Sequence, residues 1–408
     1  MKILLVCEDL PAKMVGGLGK HVVTLGNALI AAGHVVTLMG HNGIRYEECA
    51  EEVGFKGKFI DGFDNPIRGW KERQLGFFNP LRRPLFARRL AAAILANSRG
   101  FDVVHYHGHL PMVGRYIPEN INFVQTRHDQ GGDCITNVRF KDGGVCSDRE
   151  PSACAKCIHP NPGPLRTKLS AIAVERYRYE VMDAFARHPV VFVSDFLRQN
   201  FKATMSDAQL SRSHVIHNFV DEEVLYQGKD DSLPSASLNN IRIHITGRID
   251  EPKGIAALLD LLAPQMPTTW HVDVFGDGPL RQAVETRHKS QAITFHGHRL
   301  YRETINATRA ATVVVVPSVC EESCGTVILE ALRLGKVCYA LARGGTPELG
   351  RYGAPGQLRL YDDLPSLVAA LLAADDFADH LGGSSADVKA VVPQLLNVYA
   401  AGANKFGS

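Results

Sequence analysis

Val313-Val314-Val315-Val316-Pro317-Ser318-Val319-Cys320-Glu321-Glu322-Ser323-Cys324-Gly325-Thr326-Val327-Ile328-Leu329-Glu330-Ala331 is the stretch whose reading settles the architecture. Four valines without polar alternation suit a strand buried on both faces, which is the strand type of parallel sheets. The apolar run Val327, Ile328, Leu329 and Ala331 then predicts a helix opening near Gly325. Glu322 and Glu330 have seven residues between them. At about 1.5 Å rise per residue, Glu330 sits more than a turn inside the helix while Glu322 stays in the loop before it. The N–H groups of Cys324, Gly325 and Thr326 fall where helix donors lack intrahelical partners, ready for phosphate or sugar oxygens. Ordinary helix capping explains Glu322 equally well. It does not explain a carboxylate at Glu330, inside an apolar run.

Working outward, similar runs recur between helical stretches. Strands are expected at Ile3 to Val6, Val35 to Met39, Val103 to Tyr106, Phe123 to Thr126, Val190 to Ser194 and Val215 to His217. They resume at Ile241 to Thr246, His271 to Phe275, Ile293 to Phe295, Val313 to Val316 and Val337 to Leu341, so the class is α/β. Leu18 to Ala32 has helical spacing, with Gly33 placed for a left-handed C-cap. Polar residues crowd the stretch before Asn240, which suits a linker. The expected plan is an N-terminal domain over 1–222 with an insert at 129–164, a linker at 223–240, a second domain at 241–385, and a final amphipathic helix within 386–408.

The 408 residues are enough for two or three domains, and 45% hydrophobic with 22% charged residues is the balance of a folding globular chain. A net charge of +2 gives no sign of a nucleic-acid binder. The apolar runs are much shorter than the roughly 20 residues of a membrane span, and Met1-Lys2 leads straight into a strand pattern without a signal-peptide core. Cytoplasmic residence is the expectation.

Ligands of open parallel sheets bind beyond the carboxyl ends of the strands. The first such loop ends in Gly16-Gly17-Leu18-Gly19 at a helix start, which suits an anion or merely a flexible turn. The first strand of the second domain runs into Gly247-Arg248-Ile249-Asp250-Glu251-Pro252-Lys253-Gly254. Arg grips phosphate oxygens bidentately and Lys acts as a point charge, so the pair suits a leaving diphosphate. Two solvated surface charges are the plain alternative.

With these pieces in order, the chain resembles the retaining glycosyltransferases of the GT-B fold, family 4, over nearly its whole length. The resemblance rests on Gly16-Gly17-Leu18-Gly19, Asp102-Val103-Val104-His105-Tyr106-His107, Thr126-Arg127-His128-Asp129, Val193-Ser194-Asp195-Phe196-Leu197 and Asn218-Phe219-Val220-Asp221. It continues through Gly247-Arg248 with Lys253-Gly254, Phe275-Gly276-Asp277-Gly278-Pro279, Glu322 with Glu330, and Gly344-Gly345-Thr346-Pro347-Glu348. It implies two Rossmann-like domains facing across a cleft, with the final helix crossing back to the first. The donor, a UDP-, GDP- or ADP-sugar, would lie mainly on the second domain and a saccharide or lipid-linked acceptor on the first. Arg248 and Lys253 would hold the diphosphate with Gly17, Gly325 and Thr326. Glu322, Ser323 and Cys324 would meet the sugar, Glu330 the ribose, and His128 the donor sugar from the first domain, with His128 and Glu322 as the catalytic pair.

The resemblance further implies retention of anomeric configuration, by same-face attack assisted by the leaving phosphate. There is no Asp-x-Asp triplet, in keeping with cation-independent donor binding and no cofactor required for catalysis. Cys324 stands where an aromatic residue is common and Phe219 where a glycine is common.

The insert after His128 carries Cys134, Cys146, Cys154 and Cys157, with eleven, seven and two residues between them. Four thiols suit a structural zinc that clamps a loop without a core, although only Cys154-Ala155-Lys156-Cys157 has a familiar ligand spacing. Unligated thiols, less so disulfides in a cytosolic chain, and more remotely an iron–sulfur cluster are the other readings. His105, His107 and His109 alternate at a strand end, and a polar strand end is preferred there to a metal site. Between Pro66 and Gly100, eight Arg or Lys stand against Glu72 alone, beside Trp70, Phe77, Phe78 and Phe86. This suggests peripheral contact with anionic lipid, or a solvated helix face.

The function expected is sugar transfer from a nucleotide sugar to a saccharide or glycolipid hydroxyl, in bacterial surface polysaccharide, lipopolysaccharide or glycoconjugate synthesis. The alternatives are a same-fold sugar-nucleotide epimerase or polysaccharide phosphorylase, or a noncatalytic scaffold that binds a partner through the cysteine insert. A nicotinamide dehydrogenase is disfavoured, since neither domain carries the dinucleotide glycine fingerprint.

Overall fold

The apolar runs become parallel strands. In chain order they are β1 (Lys2–Cys7), β2 (Val35–His41), β3 (Lys58–Phe63), β4 (Val103–His107), β5 (Phe123–Arg127), β6 (Phe140–Lys141), β7 (Gly144–Val145), β8 (Val190–Phe192) and β9 (Ser213–Val215). They continue as β10 (Arg242–Thr246), β11 (His271–Phe275), β12 (Ile293–Gly297), β13 (Val313–Val316), β14 (Val337–Leu341) and β15 (Leu358–Tyr361). The computed structural model describes residues 1–64, 82–158, 163–202, 205–227, 241–378, 380 and 382–403.

Two compact units result. The first comprises 1–139, 147–217 and 388–408, and the second 140–146 and 218–387. The first holds a seven-stranded sheet in the order β3-β2-β1-β4-β5-β8-β9. Its strands pair in parallel, with Ile3 opposite Val36 on one side and Val103 on the other. The second holds a six-stranded sheet in the order β12-β11-β10-β13-β14-β15, also parallel throughout. Parallel strands need crossovers, and helices such as Gly17–Ala31, Ile255–Leu262 and Thr326–Arg333 supply them. In each sheet the strand order reverses once, between β1 and β4 and between β10 and β13. Those two reversals are where an open α/β sheet leaves a crevice for a ligand.

Burial explains the central strands. Val313, Val314 and Val315 are wholly buried, and each buried valine contributes roughly 1.5–3 kcal/mol relative to exposure. Ile255, Leu258, Leu259 and Leu262 give the helix that follows Gly254 its inward stripe, packed with Ile243, Ile245 and Val274 in one core. The helix from Gly17 ends ahead of Gly33, which takes the left-handed φ of +85° expected there.

The last helix, Val388–Ala403, belongs to the first unit and packs against the Gly17–Ala31 helix. It is fixed by polar contacts as well as by its apolar stripe. The Tyr399 hydroxyl meets His105 Nδ1 at 2.7 Å, and Asn122 Nδ2 donates to the Tyr399 carbonyl at 2.9 Å. Of the segment expected to be a linker, 223–227 falls in the second unit, as the end of the helix Glu222–Tyr226 and the residue after it, and 228–240 lies outside the described residues. Half of the basic stretch, 66–81, is likewise outside them. Its remainder forms the helix Arg83–Asn97, where Arg83 is buried and donates to Tyr177 at 2.5 Å and Asn137 at 2.9 Å. That arginine is structural rather than part of a solvated face. Among the described residues, no helix is long and apolar enough to cross a membrane.

Candidate functional site

The reversal between β10 and β13 brings the two charged loops together. Lys253 follows β10, Glu322 follows β13, and the Lys253 ammonium donates to the Glu322 carboxylate. Burial depresses the lysine pKa, but the Glu322 charge and hydrogen bond, with Cys320 and Asp250, together outweigh it and hold the ammonium above its usual range. Burial would likewise raise Glu322; Lys253 and a hydrogen bond with Ser318 hold it low. Both groups are therefore charged at neutral pH. Arg248 Nε pairs with Asp250 Oδ2 at 2.5 Å while its side chain stays 55% exposed, so its guanidinium retains donors for a ligand.

Backbone geometry explains why these loops meet. The Val319 and Cys320 amides both donate to the Pro252 carbonyl, at 3.0 and 3.1 Å. Gly254, at φ +67°, starts the next helix in the left-handed region, and a Cβ there would collide with the Pro317 carbonyl oxygen. Gly344, at φ +57°, similarly lies against the Glu322 backbone, and Gly345 N donates to Glu322 O at 2.7 Å. Glu322 is thus held by its main chain as well as by its ion pair.

The helix Thr326–Arg333 begins at Gly325 without a side-chain cap. Glu322 is therefore spent on Lys253 rather than on capping, and the first amides of the helix remain available to an anion. Glu330 lies inside this helix and is 6% exposed, as its position in the apolar run requires. Beside it, burial and then the Glu330 charge keep the Tyr301 phenol protonated. Ser323 is partly exposed in the loop. Cys324 is buried, with its thiol pushed up to about 12 chiefly by desolvation, and Asn218 binds it through N–H to Sγ at 3.3 Å and Nδ2 to its carbonyl at 2.8 Å. The Cys324 thiol is turned to the Asn218 amide in this geometry.

In the first unit the reversal between β1 and β4 carries two clusters. His109 sits between carboxylates, with Nε2 at 3.2 Å from Asp9 and Nδ1 at 3.0 Å from Asp129. Its burial disfavours charge, yet Asp9 and Asp129 prevail and raise its pKa well above the usual imidazole value. Arg127 joins them, donating to Asp129 at 2.8 Å and to the Gly108 carbonyl at 2.9 Å. Below this, Tyr106 donates to Glu8, a buried carboxylate whose pKa desolvation raises.

The second cluster is made of imidazoles. His107 Nδ1 stands 3.0 Å from His128 Nε2, and His21 packs edge-on to His128 with ring centroids 4.6 Å apart. His105 adjoins His107 at 4.1 Å between centroids and bonds Thr126 Oγ1 at 2.8 Å. Desolvation pushes His21 and His105 down to about 3 and holds His107 and His128 well below their usual value, so all are neutral at physiological pH. Alternation along β4 does place His105 and His107 together, while His109, past the strand end, joins the carboxylates instead. The polar strand end expected of the three is what forms, and His21 joins it from a helix. The signal for His21 in the sequence was a single histidine at a helical core position, which is commonplace.

Gly16 and Gly17 open the first helix. Neither has a positive φ, and a Cβ on either would meet nothing within 4 Å. Neither backbone nor packing demands glycine there, which leaves close approach of another group as a reason for it.

The insert folds around short elements: the antiparallel β6–β7 hairpin and the helix Pro151–Ile158. Cys134 Sγ contacts Thr136 Oγ1 at 3.2 Å, and Cys154 Sγ accepts from Arg178 at 3.3 Å. Cys157 is on the same helix as Cys154, whereas Cys146 belongs to the second unit. None of the nine cysteines forms a disulfide.

These sheets, reversals and loops define a class. The solved structure of sucrose-phosphate synthase from Thermosynechococcus elongatus matches with a TM-score of 0.69 at 20% identity, covering 98% of each chain. HepE of Anabaena, in complex with UDP-glucose, gives 0.61 at 16% identity over 99% of each chain. The catalytic domain of starch synthase IV from Arabidopsis thaliana, bound to ADP and acarbose, gives 0.59 at 15% over 99% of each. The fold is that of the GT-B glycosyltransferases.

The sequence goes further. The profile for Glycosyltransferase Family 4 matches residues 15–224, and that for Glycosyl transferases group 1 matches residues 240–375. Alpha-maltose-1-phosphate synthase of Mycolicibacterium smegmatis is 31% identical over 204 residues, or 46% of this chain. That match spans 51% of the relative's own length, about half. The chain belongs to glycosyltransferase family 4.

Proposed function

We propose that this glycosyltransferase moves a sugar from a nucleoside-diphosphate donor to a saccharide or glycolipid hydroxyl, with retention of configuration and without a divalent ion on the diphosphate. The observation that carries the reading is the Lys253–Glu322 pair, set beside Arg248 and an uncapped helix start at the β10/β13 reversal. Arg248 and Lys253, each already paired with a carboxylate, and the first helix amides supply N–H donors for a diphosphate. They also match the charge that develops when the anomeric C–O bond breaks and its electron pair passes to the phosphate oxygen. In the same-face route the acceptor hydroxyl closes the new C–O bond, and its proton goes to that phosphate oxygen. Glu322, low in pKa and fixed by its backbone, accepts hydrogen bonds from sugar hydroxyls. Glu330, a buried carboxylate inside the helix that follows Glu322, suits the ribose diol.

UDP, GDP and ADP sugars offered with simple saccharide acceptors, in the presence of a chelator, test this directly. Magnetic resonance of the product should show the anomer of the donor. Inversion, or turnover only after a divalent ion is restored, would overturn the proposal.

A further inference from the structure

The imidazole cluster contains more ligand chemistry than sugar transfer uses. His21, His107 and His128 come from the helix Gly17–Ala31, from the end of β4 and from the residue after β5. One nitrogen from each lies within 4.8 Å of the other two. Nitrogens on a tetrahedral zinc ion stand about 3.3 Å apart, given zinc–nitrogen bonds of about 2.0–2.1 Å. The His107–His128 separation of 3.0 Å is already close to that spacing, and the His21 nitrogen lies within 4.8 Å of both. The hydrogen bonding is also incomplete. His107 is wholly buried, and its Nε2 has no hydrogen-bond partner among the described residues. A neutral imidazole carries one N–H and one lone pair, so one of these goes unmet at a cost of about 1–3 kcal/mol.

The surroundings select for a cation of borderline softness. Asp129, adjacent in sequence to His128, is committed to Arg127, His109 and the Gly131 amide. His105 is committed to Thr126 and Tyr399. What remains is three uncharged nitrogen donors, a set suited to zinc, cobalt, nickel or copper and poorly suited to magnesium or calcium, which take oxygen.

We propose that His21, His107 and His128 form a binding site for a divalent transition-metal ion, with the remaining coordination position open to an oxygen ligand. The site is separate from the four cysteines of the insert. An ion held there takes one lone pair from each ring, and the proton of the His107–His128 hydrogen bond moves to the far nitrogen of the ring that carried it.

Cobalt(II) distinguishes the two donor sets because thiolate ligands add an intense near-ultraviolet charge-transfer band that imidazole ligands lack. Untagged, reduced, chelator-stripped protein titrated with cobalt chloride should develop visible ligand-field bands that saturate at a single equivalent, without the thiolate band. The bands should be lost in H21Q and in H107Q and kept in C134S/C154S. Zinc chloride added to the cobalt form should bleach them. Absence of any ligand-field band in wild type, or bands accompanied by thiolate charge transfer and abolished in C134S/C154S, would overturn the proposal. The wild-type spectrum decides by itself, so the test stands even where a histidine variant fails to fold.

Discussion

Lys253 and Glu322 lie 69 positions apart in the chain, yet the ammonium of one donates to the carboxylate of the other. The contact joins the loops after β10 and β13 at the point where the strand order of the second sheet reverses. It balances two charges where the proposed donor places a third and a fourth. The lysine must therefore serve both the resting protein and the ligand.

Removing either cation should impair turnover more than folding. Arg248→Ala or Lys253→Ala should slow transfer by about 10²-fold or more, roughly 3 kcal/mol of transition-state stabilisation. Steady-state rates with a saturating donor check this, and wild-type rates in both variants would remove the two residues from the mechanism.

The ion pair also predicts a pattern in stability. Lys253→Met leaves the largely buried Glu322 carboxylate uncompensated, so it should destabilise more than the K253M/E322Q double variant, in which neither group needs a charge. Glu322 has a depressed pKa in the folded state, so its contribution is present above the unfolded carboxyl value of about 4.3 and fades as pH falls through the folded one. Denaturant unfolding of both variants at neutral pH provides the comparison. Equal losses would mean that the pair is not coupled.

A nucleoside diphosphate at about 100 times its dissociation constant should stabilise the wild type by roughly 2.7 kcal/mol. Glu330→Ala should gain much less if Glu330 holds the ribose. Thermal shifts for UDP, GDP and ADP read this out and identify the base as well. Identical shifts in wild type and variant would contradict the assignment.

Gly254 offers a test of the backbone. Its left-handed φ and the nearby Pro317 carbonyl leave no room for a side chain. Gly254→Ala should cost at least about 1–2 kcal/mol for the conformation alone, with loss of donor affinity as the two loops move apart. An alanine variant of full stability and affinity would show that the loops do not depend on this approach.

The second sheet was largely legible, since β13 and β14 are apolar and buried on both faces. β11, β13 and β14 begin and end where they are expected, and the edge strand β12 is expected at Ile293 to Phe295 and runs to Gly297. Two other edges were not legible. β15 reads Leu358-Arg359-Leu360-Tyr361 and β3 reads Lys58-Phe59-Ile60-Asp61-Gly62-Phe63, each half-exposed at a sheet margin, where polar residues hide the pattern. β9 lies at Ser213–Val215, two residues before the expected Val215 to His217, because its polar Ser213 and His214 pair with β8 while the more apolar Ile216 follows the strand.

At the site, Glu322 and Glu330 were readable from one contiguous stretch. The Lys253–Glu322 pairing was not, since it depends on two loops that only the sheet order brings together. The imidazole cluster was hidden for the same reason. His21 reaches His107 and His128 through tertiary packing that no local spacing reports.

The neutral histidines predict an acid limb. Unfolded imidazoles take protons near pH 6.5, whereas His21, His105, His107 and His128 resist protonation in the fold. Their stabilisation is therefore complete above about pH 6.5 and lost as pH falls, at about 1.4 kcal/mol per pH unit for each histidine. His109 has the opposite sign: its contribution is present below the unfolded value and lost as pH rises through its raised folded one. Unfolding curves between about pH 6.5 and 5 should steepen accordingly, and His105→Asn should flatten the slope by one proton's worth. A slope unchanged in that variant would show that His105 is protonated in the fold.

The most direct test of the account is calorimetric titration of a nucleoside diphosphate, in chelator, into wild type, Arg248→Ala and Lys253→Ala. The account predicts saturable binding without a divalent ion and a clear loss of affinity in each variant. Binding of equal strength in all three proteins, or binding that requires an added metal ion, would contradict it.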